Sequence, residues 1–302
     1  VGGRPAPGPP PRADGIPRAR ELQLGGATEA LVSHAEDPNK GFRPYMEDGH
    51  KVLEPLPVPG CRRGESWSFF AVFDGHGGRS EVEYCQQHLQ EALVTELQSN
   101  RLDPCKALEA TFLKIDSQLA MLGAWNSGCT VTVALLHRQP MSSPALSLYV
   151  ANVGDSRAVL VGADEALRLT KDHRPDDPSE AARIEADGGR VHNRRVSGKL
   201  GVARSLGDHH LKSAGVSAKP DTFAYEVSHG HIVVIASDGL WDVLGDQDAH
   251  GVLRACVDGA VEQRGSQEDV KAALQETAAQ ALLDRAKQLG SRDNILVLAI
   301  FI

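Results

Sequence analysis

No run of roughly 18 consecutive apolar residues occurs in this chain, so nothing in it spans a membrane as a helix. Cysteines are few and scattered. Cys61, Cys85, Cys105, Cys129 and Cys256 form no Cys-x-x-Cys pair, and an odd, widely spaced set fits the reduced thiols of a cytosolic or nuclear protein. None of them starts a Cys-x5-Arg phosphate loop, which leaves a phosphocysteine route without support. The twelve histidines show no zinc-ligand spacing; His209-His210 and His229-Gly230-His231 read as loop residues. There is no Asn-x-Ser/Thr acceptor either. Basic residues are outnumbered, 32 Lys and Arg against 40 Asp and Glu, and a net charge of −8 argues against a nucleic-acid surface. A phosphorylated substrate stays open, because bound divalent cations can dominate a local field. The first residue is Val, which leaves room for a removed targeting segment, and the expected location is cytoplasmic and/or nuclear.

What is present is ordinary for a globular protein: 41% apolar and 24% charged residues over 302 positions, enough for a substantial core. Residues 1–20 are rich in Pro, Gly and Arg and cannot bury enough surface to offset their ordering entropy, so they read as a disordered tail. Its Pro9-Pro10-Pro11 run is a linker feature before it is a ligand for a proline-recognition domain. Residues 21–302 show no linker and no repeat and read as one domain. Apolar, β-favouring runs recur at Trp67–Phe73, Thr130–Leu136, Leu146–Val153, Ala158–Val161, His231–Ala236 and Ile295–Ile302. Helical spacing marks Glu81–Leu97, Lys106–Leu122, Pro178–Ala186, Gln247–Cys256 and Glu268–Leu289. Ser266-x-x-Asp269 is a capping signal for the last of these, and Gly290 lies where its C-cap belongs. The short Val153–Arg157 turn between two runs favours antiparallel pairing over a βαβ alternation. The terminal run is too apolar to fray and is expected inside a sheet. The reading is a mixed domain with sheet in the middle and helices outside.

Acidic residues sit repeatedly at the edges of these runs: Glu47-Asp48, Asp74, Asp155, Asp238 with Asp242, and Asp293. Any one of them is most simply a turn cap. Their number, and the glycine beside three of them, suit hard divalent cations, which want oxygen-rich, flexible corners. Asp74-Gly75-His76-Gly77-Gly78 is the most informative. It puts a carboxylate and an imidazole on a glycine-rich turn whose backbone carbonyl can approach a metal.

In order, the chain carries Arg43-x-x-Met46-Glu47-Asp48, Phe73-Asp74-Gly75-His76-Gly77-Gly78, Gly128-Cys129-Thr130, Ala151–Arg157, Asp172-His173, Glu185–Gly189, Val202–Asp208, Ser237–Asp242 and Asp293-Asn294. Over roughly residues 25–302 this series resembles the metal-dependent type 2C Ser/Thr protein phosphatases. The resemblance implies a four-layer α-β-β-α sandwich, with two antiparallel central sheets flanked by helices and two Mn²⁺ or Mg²⁺ ions at one end. It implies that Asp74 bridges the ions, that the Gly75 carbonyl ligates one, and that Asp238 and Asp293 complete the other. Glu47 and Asp48 would act mostly through bound waters, and Asp155 and Asp242 would serve a weaker third metal. Phosphoprotein substrates follow, with no nucleic acid or membrane as partner and a monomeric state.

Two metals so held would lower the pKa of a bridging water and supply hydroxide for in-line attack on phosphorus. His76 is placed to protonate the leaving seryl or threonyl oxygen. Arg43, kept extended by Pro44, is the expected phosphate clamp, against the plainer reading of a surface ion pair. Gly201, Ala203 and Ser205 depart from the usual residues of the family and are expected to repack locally. Cys129 reads as a small core residue. The segment His209–Ser228, matching the family's flap, has no Trp, which speaks against abscisic-acid-type regulation, and Trp67, Trp125 and Trp241 are expected in the core. Two rivals remain: a pseudophosphatase scaffold, which predicts missing ligands that are in fact present, and a nuclease, which wants a basic groove.

Overall fold

The computed structural model describes residues 30–99, 103–139, 146–263 and 266–302; the proline run and the whole of the expected tail lie outside them. One antiparallel sheet orders its strands β1 (Leu31–Asp37), β13 (Ile295–Phe301), β12 (Ile232–Ala236), β6 (Arg157–Val161) and β7 (Ala166–Arg168). The other runs β11 (Asp221–Val227), β5 (Leu146–Val153), β4 (Gly128–Arg138), β3 (Ser66–His76) and β2 (Gly49–Leu56), and β10 (Leu206–Gly207) also pairs with β4.

Alternation along the strands builds the layers. On β3, Phe69, Ala71 and Phe73 face α1 (Ser80–Ser99) and α2 (Pro104–Leu122), meeting Leu89, Leu93 and Phe112. Phe70 and Val72 point the other way, against Leu160, Ile235 and Leu298 of the second sheet. That sheet turns Val159, Val234 and Val297 outward onto α6 (Asp246–Gln263) and α7 (Gln267–Gln288). The result is the four-layer α-β-β-α sandwich. With both faces of each sheet covered, the central strands read as unbroken apolar runs instead of alternating ones. Leu298→Ala would open a void between the sheets at a cost of about 2–5 kcal/mol.

A small satellite core of Ile184, Val196, Ala203, Leu211 and Val216 holds α3 (Pro178–Ala186), the hairpin β8–β9 (Val191–His192, Arg195–Val196) and α4 (His209–Lys212) against one end of the sandwich. The buried Ala203 packs there. At α7, Ser266 accepts the Asp269 N–H at 3.2 Å and Gly290 follows with φ +90°, so both cap signals are used.

Three expectations change. The Val153–Arg157 turn joins no antiparallel pair: β5 and β6 belong to different sheets, and the link crosses between them. The strand ending the Trp67–Phe73 run continues through His76, because Asp74 and His76 pair in register with Thr130 and Gly128; the turn begins only at Gly77-Gly78. Trp67 and Trp241 are buried, but Trp125 is 55% exposed on the loop after α2, edge-on to His209. A tryptophan beside an apolar run is not thereby in it.

Candidate metal and phosphate site

Five separated segments end at the same edge of the sandwich. β3 delivers Asp74, Gly75 and His76, and the β5–β6 link delivers Asp155. The short helix α5 (Asp238–Trp241) opens on Asp238, the approach to β13 carries Asp293 and Asn294, and the approach to β2 carries Arg43, Glu47 and Asp48. All of these except Asp48 line an open cavity of about 660 Å³. Carboxylate oxygens of Asp74, Asp155 and Asp238 lie within 4.8 Å of one another.

Burial first, then mutual repulsion, makes these acids reluctant to ionise. Asp74 is pushed well above the usual carboxylate range by burial and by Asp48, Asp238, Asp155 and Asp293. Asp238 is pushed up to about 8 by burial, with Asp155, Asp242 and Asp293 adding to it. Asp155 rises to about 6 through burial, while the Arg174 guanidinium pulls the other way. A cluster of hard oxygen donors that repel one another fits a divalent cation, whose charge would offset theirs.

Around this cluster, the other residues singled out by the sequence take different places. Glu47 accepts the Gly78 N–H at 2.7 Å through Oε1, and its own N–H donates to Asn294 Oδ1 at 2.8 Å. Asn294 in turn donates to the Pro38 and Tyr45 carbonyls, which fixes this loop. Asp48 is buried behind the cavity, where its Oδ2 accepts from Ser237 Oγ at 2.7 Å; burial, partly countered by that bond, pushes it up to about 8. Asp242 is exposed and lies outside the cavity lining. Arg174 binds it at 2.5 Å and reaches Asp155 at 3.3 Å, so a guanidinium bridges these two acids. Arg43 is exposed, outside any helix, and paired with Asp293. Gly75 is a close-approach glycine: a Cβ there would come within 2.7 Å of both the Glu47 carbonyl oxygen and Val82 Cγ2. Gly75→Ala would overpack this corner at a cost of about 1–3 kcal/mol, visible as a lower melting temperature.

His76 is held by a residue that the sequence did not single out. Its Nε2 lies 2.7 Å from Asp208 Oδ2, and the same oxygen accepts from Ser205 Oγ at 2.6 Å. Despite its burial, Asp208 is held below the usual range by the His76 hydrogen bond and charge. Ser205 is therefore more than a packing substitution. Spacing along the chain gave no hint of this pairing across 132 positions; only the Ser205-x-x-Asp208 proximity was visible. Arg174 and Arg195 also line the cavity; Arg195 belongs to the run of basic residues around β8–β9, and Arg174 directly follows Asp172-His173.

A family model for protein phosphatase 2C matches residues 32–295. The chain belongs to the protein phosphatase 2C family. It is 33% identical over 282 residues to protein phosphatase 2C homolog 1 of Saccharomyces cerevisiae, covering 90% of this chain and 93% of that protein. It is 37% identical over 249 residues to the probable protein phosphatase 1N of Mus musculus, over 78% of this chain and 59% of that protein. Among solved structures, a C. elegans sex determining protein superposes with a TM-score of 0.74 at 26% identity, covering 92% of this chain and 66% of that one. The serine-threonine phosphatase 2C of Toxoplasma gondii shares the fold, with a TM-score of 0.68, 23% identity and coverage of 92% and 96%. The chain is thus a PP2C-type serine/threonine phosphatase, of a metal-dependent family, with an acidic group suited to metal. No helix among the described residues is long and apolar enough to cross a membrane.

The acids of this phosphatase also set a pH dependence for the metal-free fold. Asp155, Asp238 and Asp48 hold protons more tightly folded than unfolded, where a carboxyl titrates near 4. Stability therefore falls as pH rises from about 4 toward 8, where the folded-state groups lose their protons. Asp177 and Asp221 are held below the usual range and act in the opposite sense, but only in acid, so they do not mask the trend. In EDTA the melting temperature is expected to be lower at pH 8 than at pH 6, and Mn²⁺ should remove most of the difference.

Proposed function

We propose that this phosphatase hydrolyses phosphoserine and phosphothreonine at a binuclear Mn²⁺ or Mg²⁺ centre. Asp74, the Gly75 carbonyl, Asp238 and Asp293 would hold the two ions, with Glu47 and Asp48 acting through water and Asp155 and Asp242 serving a weaker third ion. One observation carries the reading: the Asp74, Asp155 and Asp238 carboxylates converge within 4.8 Å in a cavity also lined by His76 and Arg43. When bound, such ions supply hydroxide near neutral pH and offset phosphoryl charge.

The chain's own groups do the rest. Arg43 exchanges its Asp293 partner for two phosphoryl oxygens, which a planar guanidinium can grip at once. Because His76 Nε2 is committed to Asp208, the proton for the leaving alkoxide departs from Nδ1. Asp208 orients the ring, and Ser205 occupies the lone pair that would otherwise let the carboxylate turn. Arg195 adds positive charge to the wall that a phosphopeptide meets, whereas Arg174 is shared by Asp155 and Asp242.

The test is hydrolysis of p-nitrophenyl phosphate and a phosphothreonine peptide, with Mn²⁺ and with EDTA. Turnover in Mn²⁺ that disappears in EDTA is expected. Activity that survives EDTA overturns the metal centre, and binding of the peptide without turnover in Mn²⁺ would make the chain a scaffold.

A further inference from the structure

A second group of side chains with metal-ligating atoms close together stands at the rim of the sandwich, where none of its members lines the catalytic cavity. β1 turns Ser33 and Ala35 toward the helical layer: Ser33 Oγ accepts the Ala279 N–H of α7, and Ala35 packs in the core beneath α6 and α7. The alternate residues Val32, His34 and Glu36 therefore lie on the inner face, and Val32 does pack against the core between the sheets. On β2, His50 shares a face with Val52, which packs against that same core. β1 and β2 are edge strands of different sheets. Positions 34 and 36 lie at the exposed rim of that face and position 50 is half-buried, and two imidazoles and a carboxylate occupy them.

These three side chains meet. One nitrogen of each histidine and a Glu36 oxygen all lie within 4.8 Å of one another. Glu36 Oε2 is 3.5 Å from His34 Nε2 and 3.8 Å from His50 Nδ1, and the two rings stand 4.0 Å apart between centroids. Four-coordinate zinc, with bonds near 2.0–2.1 Å, sets its ligand atoms about 3.3 Å apart, so a small closure of partly exposed side chains completes the set. The His50 backbone is already fixed, since its carbonyl accepts from Gln86 Nε2 at 2.8 Å.

We propose that His34, Glu36 and His50 form a second metal site, for Zn²⁺ or a similar imidazole-preferring ion, that ties the edges of the two sheets together. The donor chemistry separates it from the cavity. Carboxylates and carbonyls suit Mn²⁺ and Mg²⁺, whereas two imidazoles and one carboxylate suit zinc, with water in the fourth position. Reading the histidines along the chain missed it, because His34 and His50 belong to strands of different sheets.

The experiment uses the full chain, stripped with EDTA and returned to excess Mg²⁺, which occupies the carboxylate site. Zn²⁺ is then titrated by calorimetry, and melting temperature is followed in parallel. Wild type is expected to bind one more zinc equivalent than the His34→Ala/His50→Ala variant, and only wild type should melt higher with zinc. Glu36→Gln should weaken that equivalent at least tenfold, while His88→Ala, at a half-buried histidine on α1, should leave it intact. Co²⁺ gives a separate readout, an intense visible absorption of tetrahedral type that His34→Gln should abolish even if the double variant folds poorly. Equal zinc stoichiometry and equal melting shifts in wild type and variant would overturn the proposal. So would a zinc equivalent lost in Asp238→Ala and kept in His34→Gln, because the ion would then sit in the cavity.

Discussion

Asp238→Ala is expected to lower kcat toward a phosphothreonine peptide by about 10³-fold or more, equivalent to about 4 kcal/mol of transition-state stabilisation. Asp238 stands at the start of α5, its oxygen within 4.8 Å of those of Asp74 and Asp155. The substitution should not harm the metal-free fold. It removes one of several buried acids that repel each other, and Asp238 is itself pushed up to about 8 by burial and its acidic neighbours. The variant should therefore melt higher than wild type in EDTA at pH 8, and Mn²⁺ should raise its melting temperature less. A variant that loses activity and also melts lower in EDTA would point to a structural role for Asp238. One that keeps activity within tenfold of wild type would remove it from the metal centre.

His76→Ala should cost about 10²–10⁴-fold in kcat on the phosphothreonine peptide, the range typical of a lost general acid. The loss should depend on the leaving group. p-Nitrophenolate departs without a proton, so p-nitrophenyl phosphate should suffer far less than the peptide. Asp208→Asn should reproduce a smaller part of the same selective loss. It keeps the shape that accepts Ser205 Oγ but weakens the 2.7 Å contact that aims the ring. Ser205→Ala should move in the same direction by less. Equal losses on both substrates would mean that His76 contributes to binding or folding and does not deliver the proton.

Much of this architecture was legible in the residues. The central strands announced themselves because both faces are covered, so Val133–Leu136 and Ile232–Ala236 carry apolar side chains without interruption. The edge strands β1 and β2 were not legible. Each has one half-exposed face, and His34, Glu36, His50 and Lys51 break the pattern that a run-based reading relies on. The acidic corners were visible one at a time, and only their order along the chain suggested that they meet. The crossing at Val153–Arg157 was not readable, since a short turn looks the same whether it closes a hairpin or changes sheets. Asp208 was hidden for a related reason. Its partner His76 is adjacent in space through the β3–β4–β10 pairing, while nothing nearby in sequence implies it.

The placement of β13 has a consequence for how the molecule is made. It lies between β1 and β12, pairing with both along their lengths, yet it is the last of the described strands to leave the ribosome. Until it arrives, β1 has no neighbour and β12 presents an open edge, each a template for mispairing with another nascent chain. Closure of that sheet must wait until β13 has been synthesised, and so must the approach of Asp293 to Asp238. Until then the acidic corner lacks Asp293, and the bare edges of β1 and β12 stay exposed.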